Sequence, residues 1–410
     1  MVAGEFDRPE RHIFVPDITS TPFPPEGLDE KSVLNAVSAH FDQNKFELEK
    51  NFAITYSGRP AAINRKVEAL SEGRFFVEWG SESEGGTATM EREAVAMMAS
   101  LLGKPDATGF ITTGGTESNL AAVRLARNLG RREDAEIIGP VTMHFSFRLA
   151  AELMGIRLVE LDVDTTTYQV DMAEVEAAIT PRTVGLVCSA PAGLFGTMDQ
   201  VEAFADLAWR KGLYLHVDAA FGGFILPFMR DLGYDVPPFD LALPGVSSIS
   251  TDGHKLGLLP TATGFFLARE REMFESVPTE ETLIHTTSST KPGSRAAGAW
   301  ATMKHLGRAG YHESTRHVLG LRDIIAAGVT SIPGVRLAAP RFISVVGFTS
   351  DVVDIEAVHR QLEADGWGHS SGTLRGMPFI RLSIHPSRSE EAAHGFVGAF
   401  QRAAEKARCA

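Results

Sequence analysis

The spacing of apolar and polar positions predicts a chain in which helices and short buried strands take turns. Ala122, Leu125, Ala126 and Leu129 fall at helical spacing behind Gly114-Gly115, and Gly130 is placed to end that helix. Earlier helices are predicted from Glu30 to about Asn44 and from Met90 to Leu102, the second stopped by Gly103 and Pro105. Ile137-Ile138 and Arg157 to Leu161 read as strands, and Asp171 with Glu174 has the form of a capping box for a helix through Ile179. A buried strand from Thr183 to Cys188, a helix from about Gln200 to Arg210, and strands at Leu213 to Val217 and Ser247 to Ser250 follow. Strands separated by helices pair in parallel through right-handed crossovers, which implies an α/β sheet with helices on both faces.

Beyond about residue 295 a helix is predicted to Leu306. The tail then reads as a smaller α/β unit: a strand at Ser344 to Phe348, a helix around Ile355 to Leu362, a strand at Phe379 to Ile384, and a last helix from Glu390. The expected organisation is an N-terminal arm (1–60), a large domain (61–295) and a small C-terminal domain (296–410). Thr21-Pro-Phe-Pro-Pro25 is a poor core element and suits an arm lying on another surface.

Composition narrows the class. The 410 residues carry a formal charge of −13, which lacks the footprint of a nucleic-acid binder. No run approaches the roughly 18 apolar residues that a membrane helix needs. The polar start Met-Val-Ala-Gly-Glu does not resemble a signal peptide. Cys188 and Cys409 lie far apart without metal-ligand spacing, so the expectation is a cytoplasmic protein with no disulfide framework and no cysteine metal site.

Three segments carry chemistry. In Phe110-Ile-Thr-Thr-Gly-Gly-Thr-Glu-Ser-Asn119 a strand feeds two glycines and a helix start, where free amides attract an anion. In Leu215-His-Val-Asp-Ala-Ala-Phe-Gly-Gly223, Asp218 stands at the carboxyl end of a buried strand, where α/β sheets place ligands. It could equally cap the next turn; a metal shared with His216 would have too few ligands. In Ser247-Ser-Ile-Ser-Thr-Asp-Gly-His-Lys-Leu-Gly257, Lys255 sits where a lysine acts either as an amine nucleophile or as half of a buried ion pair. Taken in order, a phosphate turn, a strand-end carboxylate and a lysine are what pyridoxal 5'-phosphate requires.

The chain resembles the fold-type I (aspartate-aminotransferase-like) pyridoxal-phosphate enzymes, specifically the group II amino-acid decarboxylases of the archaeal tyrosine/aspartate type. Sphingosine-phosphate lyase is a more distant relative. The resemblance rests on Gly114-Gly-Thr-Glu-Ser-Asn119, His144-Phe-Ser146, His216-Val-Asp-Ala-Ala-Phe-Gly-Gly223, Phe239-Asp-Leu-Ala-Leu-Pro-Gly-Val246, Asp252-Gly-His-Lys255, Gly293-Ser-Arg295 and Lys304-His-Leu-Gly307. It implies that His144 stacks on the cofactor ring, Asp218 pairs with its nitrogen, Ala220 packs on its face and Lys255 forms the Schiff base. Gly115, Thr116 and His254 are implied to hold the phosphate, with Ser294 reaching it from the second subunit of a homodimer. Arg381, in Phe379-Ile-Arg-Leu-Ser383, matches an arginine able to bind a substrate carboxylate; a surface or interface ion pair is the alternative.

Two departures stand out. Relatives often carry Gly-Thr-Thr where this chain has Pro191-Ala-Gly193, so a hydroxyl is missing. Many also carry a loop tyrosine after the lysine, whereas no tyrosine occurs between Lys255 and Arg295. His285 lies in the corresponding region and an imidazole can serve as the acid. Tyr56 and Arg59 could contribute to a substrate pocket or simply pack the arm. The expected activity is decarboxylation of an aromatic or acidic L-amino acid, with aldol-type carbon–carbon cleavage as the alternative. A non-catalytic cofactor binder is the third possibility, against which the joint presence of Lys255, Asp218 and His144 argues.

Overall fold

The computed structural model describes residues 25–43, 47–55, 58–71, 77–78, 85–277 and 291–408. Its helices are α1 (Glu30–Phe41), α2 (Ile63–Ser71), α3 (Gly86–Leu101), α4 (Gly115–Gly130), α5 (Ser146–Met154), α6 (Met172–Ala178), α7 (Val201–Lys211), α8 (Leu226–Asp231), α9 (Gly293–Thr330), α10 (Ile355–Ala364) and α11 (Glu390–Arg408). The strands of the main sheet are β2 (Thr108–Thr112), β3 (Glu136–Pro140), β4 (Arg157–Leu161), β5 (Thr183–Ser189), β6 (Tyr214–Asp218), β7 (Ser248–Asp252) and β8 (Gly264–Ala268). They lie in the order β2-β8-β7-β6-β5-β3-β4. Neighbours from β7 across to β4 run parallel, and β8 is antiparallel to both β7 and β2.

This is the mostly parallel α/β sheet that the alternation of elements predicts. Every residue of β3, β5, β6, β7 and β8 is buried, as helices on both faces require. Strand β8 was not evident from the sequence. The turn between Asp252 and Gly264 is too short for a helical crossover, so the chain returns antiparallel.

The second sheet, β10 (Val335–Leu337), β11 (Val345–Ser350), β12 (Ser370–Leu374) and β13 (Met377–Ser383), is antiparallel in the order β10-β11-β13-β12. One face packs on α10 and α11, where Phe348 meets Phe400 edge-on. The other turns to the loop after β5, where Phe379 meets Phe195 edge-on at 4.9 Å. A short antiparallel ladder joins β1 (Val77–Glu78) to β9 (Lys291–Pro292).

The helix expected to end at Leu306 instead continues to Thr330. The break is present but local, because Gly307 alone leaves helical geometry, at φ 54° and ψ −170°. Upstream, residues 47–55 lie against the second sheet. Phe52 donates its N–H to the carbonyl of Gly368 and accepts that of Ser383, and its ring stacks on Trp367. Helix α1 behaves differently: none of its residues is buried, and Val33, Leu34, Val37 and Phe41 face outward. Among the described residues no helix is long and apolar enough to cross a membrane.

The loop from β5 to α7 is closed by a buried carboxylate. Asp199 accepts the Ser189 N–H at 2.7 Å and returns its own N–H to the Ser189 carbonyl. Burial pushes this carboxyl up to about 7; the Ser189 amide opposes that and the charge of Asp218 adds to it. A group held above its unfolded value of 3.8 binds its proton more tightly in the folded state, so stability from this source falls as pH rises from about 4 to about 7. Asp199→Asn keeps the acceptor and removes the titration. The stability of the variant relative to the parent, by urea unfolding, should therefore increase by up to about 1.4 kcal/mol per pH unit across that window. A constant difference across it would contradict this reading.

Candidate active site

The carboxyl ends of β6 and β7 and the start of α4 meet at one concave surface. Strand β2 delivers the chain to Gly114-Gly115, and the crowding there explains both glycines. A Cβ on Gly114, whose φ is 134°, would lie 2.8 Å from the ring of His254. One on Gly115 would lie 3.0 Å from the Asp252 carboxylate and 3.5 Å from Ala220. Only glycine lets the backbone run so close while leaving the first amides of α4 open to an anion. Thr116 is exposed on that first turn.

Strand β7 ends at Asp252, and the turn that follows presents His254 and Lys255. The Nδ1 of His254 lies 3.1 Å from the Thr263 amide nitrogen and 3.0 Å from its carbonyl oxygen, so Thr263 fixes the ring in place. The Lys255 ammonium lies 3.0 Å from Asp252 Oδ2 and 4.4 Å above the centre of the Phe221 ring. It is therefore both a buried ion-pair partner and an amine held at the site. Asp252 keeps its other oxygen, Oδ1, buried and without a hydrogen bond among the described residues.

Asp218 ends the neighbouring strand β6. Its Oδ1 accepts the Ala220 N–H at 3.0 Å and its Oδ2 accepts Asn119 Nδ2 at 2.9 Å. Burial alone would push the carboxyl up. The charge of Lys255, with these two donors, holds it below its ordinary range, so it is ionised. His144 stands in the turn before α5, its Nδ1 2.8 Å from the Ser146 hydroxyl. Burial lowers its pKa against the pull of Asp218, so it is neutral at neutral pH.

The second sheet carries Arg381. It lies opposite Gly347 and Ser370 and shares a sheet face with Phe379. Arg381 is half-buried and in no ion pair among the described residues, and its Nε is buried without an acceptor. Burial lowers it to about 10. His385, just past β13, packs flat on Gly58, where a Cβ would lie 2.1 Å from the ring. It takes the Ser387 N–H on Nδ1 at 3.0 Å and hydrogen-bonds the backbone of Lys255.

Of the residues named from the sequence, Gly115, Ala220, His254, Lys255, Asp218 and His144 share this surface. Ser294 opens α9, and the charge of its neighbour Arg295 reaches His254. Tyr56 and His285 lie outside the described residues. Asn119, Asp252 and His385 were not singled out. Asp252 was legible as an i, i+3 partner of Lys255, whereas His385 approaches the lysine from a segment with no sequence signal. The donors, the glycine cradle and the lone lysine fit a flat ring bearing a phosphate. Among the described residues no three His, Cys, Asp or Glu side chains gather to hold a metal.

Comparison with known proteins agrees with this geometry. Residues 75–350 match the pyridoxal-dependent decarboxylase conserved domain. The chain is 40% identical over 313 residues to the L-aspartate decarboxylase of Thermococcus kodakarensis, covering 75% of this chain and 80% of that one. It is 38% identical over 311 residues to a probable L-tyrosine/L-aspartate decarboxylase of Methanothermobacter thermautotrophicus, covering 75% and 85%. The solved sphingosine-1-phosphate lyase of Burkholderia pseudomallei superposes with a TM-score of 0.84 at 28% identity, covering 95% of this chain and 94% of that one. With a fold-type I sheet, a phosphate turn and a lysine in place, the chain belongs to the pyridoxal-phosphate-dependent amino-acid decarboxylases.

Proposed function

We propose that this enzyme removes the α-carboxylate of L-aspartate. The carrying observation is Arg381, a half-buried arginine whose buried Nε has no acceptor and whose guanidinium has no carboxylate partner among the described residues. A cation so placed is costly unless an anion meets it, and a substrate carboxylate supplies one. Relatives named as L-aspartate decarboxylases add weight to the acidic substrate.

In this reading each residue has a definite task. Lys255 carries the cofactor, and Asp252 holds the ammonium in place until then. The bound cofactor supplies an electron sink for the pair left on the α-carbon when carbon dioxide departs. Asp218 keeps a negative charge beside the ring nitrogen. His144 and Ala220 would hold the ring, and Gly115, Thr116 and His254 would take the phosphate. His285 donates the proton that replaces carbon dioxide, and Tyr56 borders the substrate side chain.

We also read the enzyme as a homodimer with shared sites, built from domains at 61–295 and 296–410. Helix α1 supports the dimer. Val33, Leu34, Val37 and Phe41 form an apolar stripe that nothing in this chain covers among the described residues, and a second copy can bury it. Ser294, at the start of α9, then serves the cofactor of the partner. A free, buried Cys188 is compatible with a cytoplasmic setting.

Incubation of the holoenzyme with L-aspartate, L-glutamate, L-tyrosine and a phosphorylated amino alcohol should release carbon dioxide and amine from L-aspartate above all. Arg381→Met should lower kcat/KM by about a hundredfold or more, and His285→Ala should slow amine formation. Cleavage of the amino alcohol with no carbon dioxide from any amino acid would replace this reading with the lyase one.

Shared sites are tested by mixing. A Lys255→Ala chain and a Ser294→Ala/Arg295→Ala chain are each expected to be inactive alone, and hybrid dimers should recover part of the activity. No recovery while labelled subunits demonstrably exchange would mean that each chain completes its own site.

A further inference from the structure

Behind Asp218 lies a buried polar chain to which neither the cofactor nor a substrate has direct access. It begins at Tyr214, whose phenol donates to Ser248 Oγ at 2.6 Å. The Ser248 hydroxyl lies 2.7 Å from His216 Nδ1, and His216 Nε2 lies 3.0 Å from Asn119 Oδ1. Asn119 Nδ2 donates to Asp218 Oδ2 at 2.9 Å and to Ser146 Oγ at 3.0 Å. The Ser250 hydroxyl donates to Asn119 Oδ1 at 3.1 Å. Tyr214, Ser248, His216, Asn119, Ser250, Ser146 and Asp218 are all buried.

The direction of every bond in this chain is fixed. Tyr214 is kept protonated by burial and spends its proton on Ser248. The Ser248 proton therefore goes to His216 Nδ1, which places the imidazole proton on Nε2. Burial lowers His216 to about 4 against the pull of Asp218, so the ring is neutral and has only this one proton to give. It gives it to Asn119 Oδ1, whose second lone pair receives Ser250. With its oxygen side filled by two donors, the amide can only turn its nitrogen toward Asp218 and Ser146. A reversed amide would set an oxygen against the ionised carboxylate. The Ser146 hydroxyl, accepting from Asn119, is free to donate to His144 Nδ1, which puts the proton of that ring on Nε2.

We propose that Asn119, oriented by His216, is a positioning residue that holds the Asp218 carboxylate and the Ser146 hydroxyl facing His144 through one amide. This rests on the reading of Asp218 as partner of the ring nitrogen. Removing the amide leaves the Asp218 carboxylate held by the Ala220 N–H alone and free to turn from the ring nitrogen, and leaves the Ser146 hydroxyl without its donor; His144 Nδ1 keeps the Ser146 N–H, and the phosphate cradle and Lys255 stay intact. The proton affinity of the ring nitrogen then drops, and kcat drops with it. Substrate binding, which uses other groups, changes little.

The holoenzymes of the parent, Asn119→Leu, His216→Phe and Asp218→Asn are loaded with pyridoxal phosphate carrying nitrogen-15 in its ring. The nitrogen chemical shift is followed against pH, together with kcat and KM. In the parent the ring nitrogen should stay protonated across the neutral range. In Asn119→Leu its proton affinity should fall by about tenfold or more, a change of about one pKa unit, with KM within about twofold of the parent. His216→Phe, which leaves Asn119 in place, should move the same way by less, and it carries the test if Asn119→Leu does not fold. Parent-like titration in both variants, with the proton lost in Asp218→Asn, overturns the role of Asn119 and leaves that of Asp218 standing. A ring nitrogen that stays protonated in Asp218→Asn overturns both.

Discussion

An ionised carboxylate at the buried end of β6 is the constraint around which the site is built. Burying a lone carboxylate costs several kcal/mol unless charge and hydrogen bonds compensate. Asp218 meets that requirement from three directions: the backbone at Ala220, the amide of Asn119, and the nearby ammonium of Lys255. Each of these belongs to a different element. The parallel order β7-β6-β5 sets the strand ends side by side, and α4 must run close behind them for Asn119 to reach. The two glycines before α4 permit that approach. Fold and charge are thus one problem: the sheet order that places Asp218 also assembles the groups that keep it ionised.

Lys255 shows a second use of the same economy. Its ammonium rests between Asp252 and the face of Phe221, and its backbone is touched by His385 from beyond the second sheet. His385 itself lies flat on Gly58 and is braced by Ser387. Segments far apart in the chain therefore converge on the one lysine, and the two sheets are linked through it as well as through the Phe195–Phe379 contact. The loop that carries Phe195 also contains Pro191-Ala-Gly193. An aromatic contact with the second sheet shapes that wall of the cleft.

Much of this was legible in the sequence because it is local. Asp218 could be placed at a strand end from the apolar run before it, and Gly114-Gly115 from the strand and helix on either side. Lys255 followed from its position after Ser247 to Ser250. What was not legible depends on long-range assembly. Nothing local distinguishes Asn119 from an ordinary polar residue on the first turns of a helix; its role appears only when β6, β7 and α5 close around it. His385 is silent for the same reason. Gly264 to Ala268 went unread as a strand because no helix precedes it, and α9 was cut short at Gly307 because a glycine there looks like an end when it is a kink.

The claim on which the rest depends is that the negative charge of Asp218, rather than its shape, makes the bound cofactor effective. Asp218→Asn preserves size and can still accept the Ala220 N–H, so the fold and the attachment to Lys255 should survive. The decisive measurement is the rate of amine formation by that variant under saturating substrate and cofactor. A fall of about a thousandfold, with the melting temperature and the cofactor content close to those of the parent, is the predicted result. Turnover within about tenfold of the parent would contradict the account.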